Sequence, residues 1–82
     1  MRDIRLSAHV RVVMAERGIE AAWVARTLEA PDRVDVDPND PALERAFAAI
    51  AERDGRVLRV VYRPDGDAVF VVTTFFDRGA RR

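Results

Sequence analysis

Two side chains in this sequence could do chemistry by their type and setting: a lone histidine near the start and an arginine inside an apolar strand. His9 is the only histidine among 82 residues. It falls in the opening turn of a helix, about ninety degrees around the wheel from the centre of the apolar stripe. Val13 and Glu16 are its neighbours one and two turns on. At such a border one ring edge stays accessible while the other packs. The positive end of a helix also suits a base that must be uncharged to accept a proton. The competing reading is a histidine that only hydrogen-bonds at a helix start.

Arg59 stands between Val57 and Val61 in a segment that should be a central strand. An unpaired buried guanidinium is prohibitive, so it must pair with an acid or open onto a cleft. If Pro64-Asp65-Gly66-Asp67 is a four-residue loop, Arg59 faces Val72, with Thr74 diagonally beside it. Thr73 then points to the opposite face, near Leu58. An arginine and a threonine on a sheet floor could hold a phosphate. Equally, Arg59 could be tied to an acidic neighbour at the sheet margin.

Other familiar constellations fail on inspection. Asp35-x-Asp37-x-Asn39 begins like a calcium loop, but Asp40 stands where glycine is required, Pro38 takes the fourth place and Ala46 the last ligand position. Ser7, the only serine, lacks the strand-turn-helix setting of a hydrolase nucleophile. There is no glycine-rich phosphate loop, and no carboxylate pair is placed for glycoside chemistry. Without cysteine, and with one histidine, the chain has neither a disulfide framework nor the ligands of a zinc site. No cofactor is expected.

The elements that must position these residues can be read along the chain. Residues 1–6 form a short extended lead-in. Ser7 caps a first helix, Ala8 to Arg17, whose Val10, Val13 and Met14 recur on one face, and Gly18 closes it. A second helix runs from about Glu20 to Glu29, with Val24, Ala25 and Leu28 inward and Trp23 and Thr27 beside them. Pro31 stops it. Arg33 to Asp37 alternates like an edge strand, and residues 38–41 make a turn. Residues 42–53 are ambiguous. Asp40 as cap, Pro41 as first residue and the alanine-rich run predict a helix. Alternation instead sets Ala46, Ala48 and Ile50 on one face of a strand and Arg45, Phe47 and Ala49 on the other. Arg56–Arg63 and Ala68–Phe76 then form a hairpin.

Length and a hydrophobic fraction of 49% allow one domain, residues 1–82, with one modest core. No apolar run has membrane-spanning length, and the first residues lack the apolar stretch of a signal peptide, so the expected location is cytoplasmic. Fourteen basic residues balance fourteen acidic ones, which gives no overall field toward nucleic acid or anionic lipid. All the basic residues are arginine. That suits bidentate phosphate binding, but is more simply a GC-rich coding bias.

The order of these motifs resembles a family of short bacterial domains of unknown function grouped with the BrnT and RelE toxins. The matching residues are Ser7-Ala8-His9, Glu16-Arg17-Gly18-Ile19, Val24 and Leu28 before Pro31-Asp32, Arg45, the run Gly55 to Tyr62, Val71-Val72-Thr73 and Phe75-Phe76-Asp77-Arg78. The resemblance implies an α+β, RelE-like fold, with two N-terminal helices on a three- to four-stranded antiparallel sheet. It makes the segment around Arg45–Ala51 a strand. It also implies a metal-independent endoribonuclease toxin silenced by a cognate antitoxin. His9 would activate a ribose 2′-hydroxyl. Arg59, with Arg45 or Arg17, would stabilise charge on the phosphoryl oxygens, and Thr73 would orient the phosphate. Val13 stands where the family usually has an arginine, and the net charge is zero. Both departures favour the alternative, a non-catalytic protein-interaction domain on the same fold.

Overall fold

The computed structural model describes residues 2–79, in the order β1 (Asp3–Leu6), α1 (Ala8–Arg17), α2 (Ala21–Glu29), β2 (Arg33–Val36), β3 (Glu44–Ile50), β4 (Arg56–Asp65) and β5 (Ala68–Phe76). A short 3-10 turn, Ala51–Arg53, follows β3. The helices form where their ends are satisfied. Ser7 Oγ accepts the Val10 N–H at 3.1 Å at the start of α1. At its end Gly18 adopts φ 66°, its N–H donates to Ala15 and the Ile19 N–H to Met14. This closure satisfies the last carbonyls and turns Ile19 into the core. In α2, Trp23, Val24, Thr27 and Leu28 are all buried. The buried Thr27 hydroxyl donates to the Trp23 carbonyl at 2.8 Å, so its burial leaves no orphan.

The strands make one five-stranded sheet in the order β1-β5-β4-β3-β2. This corrects the expectation of three or four antiparallel strands. The lead-in is itself a strand, and it pairs parallel to β5 from Asp3↔Ala68 to Leu6↔Val71, so the sheet is mixed. The reason lies in β5, whose outer edge offers unpaired N–H and C=O groups to Asp3–Leu6 while Ile4 and Leu6 pack against the core.

Both helices lie on one face of this sheet. Val10, Met14, Ile19, Trp23, Val24 and Leu28 pack against Ala46, Ile50, Leu58, Val60, Tyr62, Val69 and Val71. Residues 44–50 are a strand, as alternation and the resemblance predicted and the local helix signal did not. Asp40 does act as a cap, taking the Ala42 N–H at 3.0 Å, but only one turn follows before the chain extends. Between β2 and β4 the segment pairs on both sides and buries Ala46, Phe47, Ala48 and Ile50, which outweighs helix propensity.

The hairpin differs from expectation in a way that matters for the site. β4 continues through Pro64 to Asp65, which pairs with Ala68 across a two-residue turn opened by Gly66 at φ 58°. A bulge between Val61 and Tyr62 shifts the register by one more residue. Arg59 therefore faces Phe75, not Val72. Shortening the loop by two residues preserves which face each side chain takes; the single-residue bulge reverses it. Thr73, opposite Val61, lies on the same face as Arg59 and not on the other. No helix among the described residues is long and apolar enough to cross a membrane.

Candidate functional site

The sheet face turned away from the helices is built from one cross-strand row. Arg33 pairs with Phe47, Phe47 with Arg59, and Arg59 with Phe75, so guanidinium and phenyl groups alternate across β2, β3, β4 and β5. The Arg33 guanidinium lies 4.1 Å from the Phe47 ring centre, and that of Arg59 lies 5.3 Å from Phe47 and 4.9 Å from Phe75. Beyond β5 the row is extended by α1. Arg17 reaches past the sheet edge, donates to the Thr74 carbonyl at 2.9 Å and sets its guanidinium 5.9 Å from the Phe75 ring. The next row places Arg45 opposite Val61 and Val61 opposite Thr73. Arg45 also lies over Phe47, at 5.5 Å.

This arrangement explains how a face with no helix over it can be dry. Phe47 is only 3% exposed because the guanidinium groups of Arg33, Arg45 and Arg59 lie over its ring, and Val57 and Val61 are buried on the same face. Carboxylates hold the guanidinium groups in place. Arg45 makes a two-pronged pair with Asp35, at 2.6 and 2.8 Å, and Arg33 approaches the same carboxylate at 3.8 Å. The hydrogen bonds from Arg45 hold the Asp35 carboxyl below the usual carboxylate range, and Arg45 in turn is raised. Arg59 pairs with Asp77, which follows β5, so the expectation that it must find an acid or a cleft is met by an acid. Its Nε–H is buried and has no hydrogen-bond partner among the described residues. The Arg59 guanidinium, between two rings, thus keeps one buried donor unused.

The five residues singled out from sequence thus separate. Arg17, Arg45, Arg59 and Thr73 converge on or at the rim of the open face. His9 does not join them in any contact. It is exposed in the first turn of α1 and makes no hydrogen bond, ion pair or ring contact among the described residues. Arg17 lies eight residues further along that helix, about 12 Å by helical rise. Sequence reasoning missed Arg33, Phe47 and Phe75. The signal that could have found them is the alternation Arg45-x-Phe47 beside Arg33-x-Asp35, once β2 and β3 are taken as neighbours. Asp35 and Asp37, the false calcium motif, serve the fold: Asp37 accepts the N–H groups of Asn39 and Asp40.

The described residues also hold a groove away from this face. Arg2, Ile4, Leu28 and Glu29 line an open groove of about 390 Å³. The Arg2 guanidinium donates to the Leu28 carbonyl and lies 5.4 Å from the Tyr62 ring. Burial pushes the Tyr62 hydroxyl up, and it donates to Glu44 at 2.9 Å. These contacts close the end of α2 and cover the core.

Fold and surface together define a small α+β domain whose helices cover one face of a mixed sheet and whose arginines cover the other. The chain belongs to the family described as Domain of unknown function (DUF4258), whose model matches residues 6–76. The match takes in His9, Arg17, Arg45, Arg59 and Thr73 and stops one residue before Asp77. No curated protein and no solved structure matches the chain.

Proposed function

We propose that this domain acts on RNA, as a toxin-type endoribonuclease related to the BrnT and RelE toxins, with the open sheet face as its phosphate-binding floor. The observation that carries the reading is the row Arg33, Phe47, Arg59, Phe75, Arg17, with Arg45 and Thr73 beside it. Guanidinium groups held against rings are preorganised, and a phosphate can compete with the aspartates for their donors. Phe75, half-buried at the rim, also offers stacking surface to a base, whereas Phe47 is covered by the guanidinium groups. The chemistry needs only positioning and charge stabilisation. The ribose 2′-oxygen loses its proton to a base, attacks the adjacent phosphorus and expels the 5′-oxygen, which takes up a proton. The products are a 2′,3′-cyclic phosphate and a 5′-hydroxyl end. In this reading His9 is the base, a role that requires the bound strand to bend past Arg17 toward the start of α1, because His9 stands off the arginine face. Arg59, Arg45 and Arg17 bind phosphoryl oxygens, and Thr73 orients them.

The test is induced expression of the native chain, His9→Ala and Arg45→Met, with growth followed and total RNA sequenced at its cut ends. Growth arrest with cyclic-phosphate ends, abolished by either substitution, supports the proposal. Retained cleavage by His9→Ala removes the histidine from the mechanism. Intact RNA at good expression of the folded native chain refutes the enzyme. The toxin reading further requires an antitoxin partner, and co-purification with the product of an adjacent small reading frame tests that part.

A further inference from the structure

Phe75 and Phe76 end β5 as consecutive residues, so their rings take opposite faces of the sheet. Phe75 belongs to the open face, where Arg59 and Arg17 lie against it. Phe76 is half-buried on the helix side and meets Trp23 edge-on, with ring centres 6.2 Å apart. Two further guanidinium groups lie against it, that of Arg53 at 4.9 Å and that of Arg56 at 4.5 Å from the ring centre. The end of β5 thus carries a pair of arginines on each of its two faces.

The turn between β3 and β4 fixes the second pair. The Asp54 N–H donates to the Ala51 carbonyl at 3.1 Å and the Gly55 N–H to the Ile50 carbonyl at 3.0 Å. With Asp54 and Gly55 both at positive φ, the chain reverses tightly and brings Arg53 and Arg56 back to one ring. Arg53 also donates to the Gly18 carbonyl at 3.1 Å, which ties it to the end of α1 directly after Arg17. Arg5, Arg26, Arg45 and Arg59 each pair with a carboxylate. Arg53 and Arg56 pair with none among the described residues. Glu52 is held through both oxygens by Arg26, Asp77 by Arg59, and Asp54 reaches neither arginine. Even counted against Asp54, residues 53–56 keep a net positive charge. Two cations gathered on one ring repel, and an anion that accepts from both relieves the repulsion. Phosphate suits this role, since its oxygens can take donors from two guanidinium forks at once.

We propose that Arg53 and Arg56, seated on Phe76, form a phosphate-binding site on the helix side of the sheet end. That the phosphate belongs to an RNA strand, flanking the one that is cut, rests on the RNA reading. Arg17 links the two places, since it lies against Phe75 on one side and adjoins the Gly18 carbonyl that holds Arg53 on the other.

The probes are inorganic phosphate and a fluorescein-labelled, 2′-O-methyl RNA of roughly eight nucleotides, which has no free 2′-hydroxyl and cannot be cut. In nitrogen-15 spectra of the arginine side chains, phosphate should shift the Nε–H signals of Arg53 and Arg56 saturably, and chloride at matched ionic strength should not. Arg56→Met keeps an apolar stem over Phe76 and removes no hydrogen bond of the described residues. By anisotropy it should weaken the oligonucleotide about fivefold, and lower the slope of log affinity against log salt by about 0.7, the value of one phosphate contact on a single strand. Arg56→Lys, which retains the charge without the fork, should fall between the two and replaces the methionine variant if that one disturbs the fold. Unchanged affinity and slope in these variants, with binding weakened by Arg45→Met, would overturn the site and leave the RNA reading standing. Phosphate shifts at Arg53 and Arg56 without oligonucleotide binding would support the site, assign it to a free phosphate and refute the RNA reading. Shifts from neither probe, or equal shifts with chloride, would sink the site outright.

Discussion

The Arg59–Asp77 pair is where stability and proposed function meet, and its energetics can be worked from the structure. The Arg59 side chain is 25% exposed and that of Asp77 12%. Breaking a fully buried pair costs ~3–5 kcal/mol and an exposed one ~0–1, so this intermediate case should cost about 2 kcal/mol. Loss of the two ring contacts adds ~0.5 kcal/mol each. Arg59→Ala should therefore destabilise the domain by about 3 kcal/mol, a large part of the ~4–12 kcal/mol expected for a chain of this size. Arg59→Met keeps an apolar stem over Phe47 and Phe75 and removes the orphaned Nε–H, so it should lose only about 1.5 kcal/mol. Asp77→Asn alone should lose about 1 kcal/mol, and the double variant Arg59→Met with Asp77→Asn should also lie within about 1 kcal/mol of the native chain, so the single costs exceed the double by a coupling energy of about 1.5 kcal/mol. Urea unfolding followed by fluorescence of Trp23, the only tryptophan and buried against Phe76, measures all four. Strict additivity of the single variants, or an Arg59→Ala cost below about 0.5 kcal/mol, would refute the reasoning. The double variant then becomes the proper control for RNA cleavage, because it removes the guanidinium without unfolding the sheet.

Leu58, fully buried beneath both helices' core residues, should cost about 3 kcal/mol on replacement by Ala, and melting should fall by about 15 °C in calorimetry. Gly18→Ala should cost about 1 kcal/mol, since its φ of 66° is left-handed and the new Cβ would sit 3.3 Å from the Arg53 guanidinium. The same unfolding assay reads that loss, which should be absent for Gly79→Ala. Acid should weaken the fold through two carboxylates. Glu52, hydrogen-bonded by Arg26, is pulled down to about 2, and Asp35, bonded by Arg45, is also lowered. A depressed carboxylate stabilises the fold at pH above its unfolded value, and that contribution disappears as pH falls through the folded one. Urea midpoints should thus drop between about pH 4.5 and pH 2, and Asp35→Asn with Glu52→Gln should flatten that drop.

Local chemistry alone determined much of this molecule. Ser7, Gly18 and Pro31 mark the helix ends because capping and proline act within a few residues. The valine- and phenylalanine-rich runs at 57–61 and 69–76 are strands for reasons equally local. The fates of Arg59 and Thr73 were not local. A bulge is one extra residue with no compositional mark, and it alone put Thr73 on the face of Arg59. The helix signal after Asp40 was real, yet pairing on both sides of residues 44–50 overrode it. The lead-in became β1 because β5 offered it an open edge. The arginine row of the open face depended on all of these at once. No single segment carries it, since Arg33, Phe47, Arg59, Phe75 and Arg17 come from five different elements and meet only when the register of four strands and the end of one helix are set.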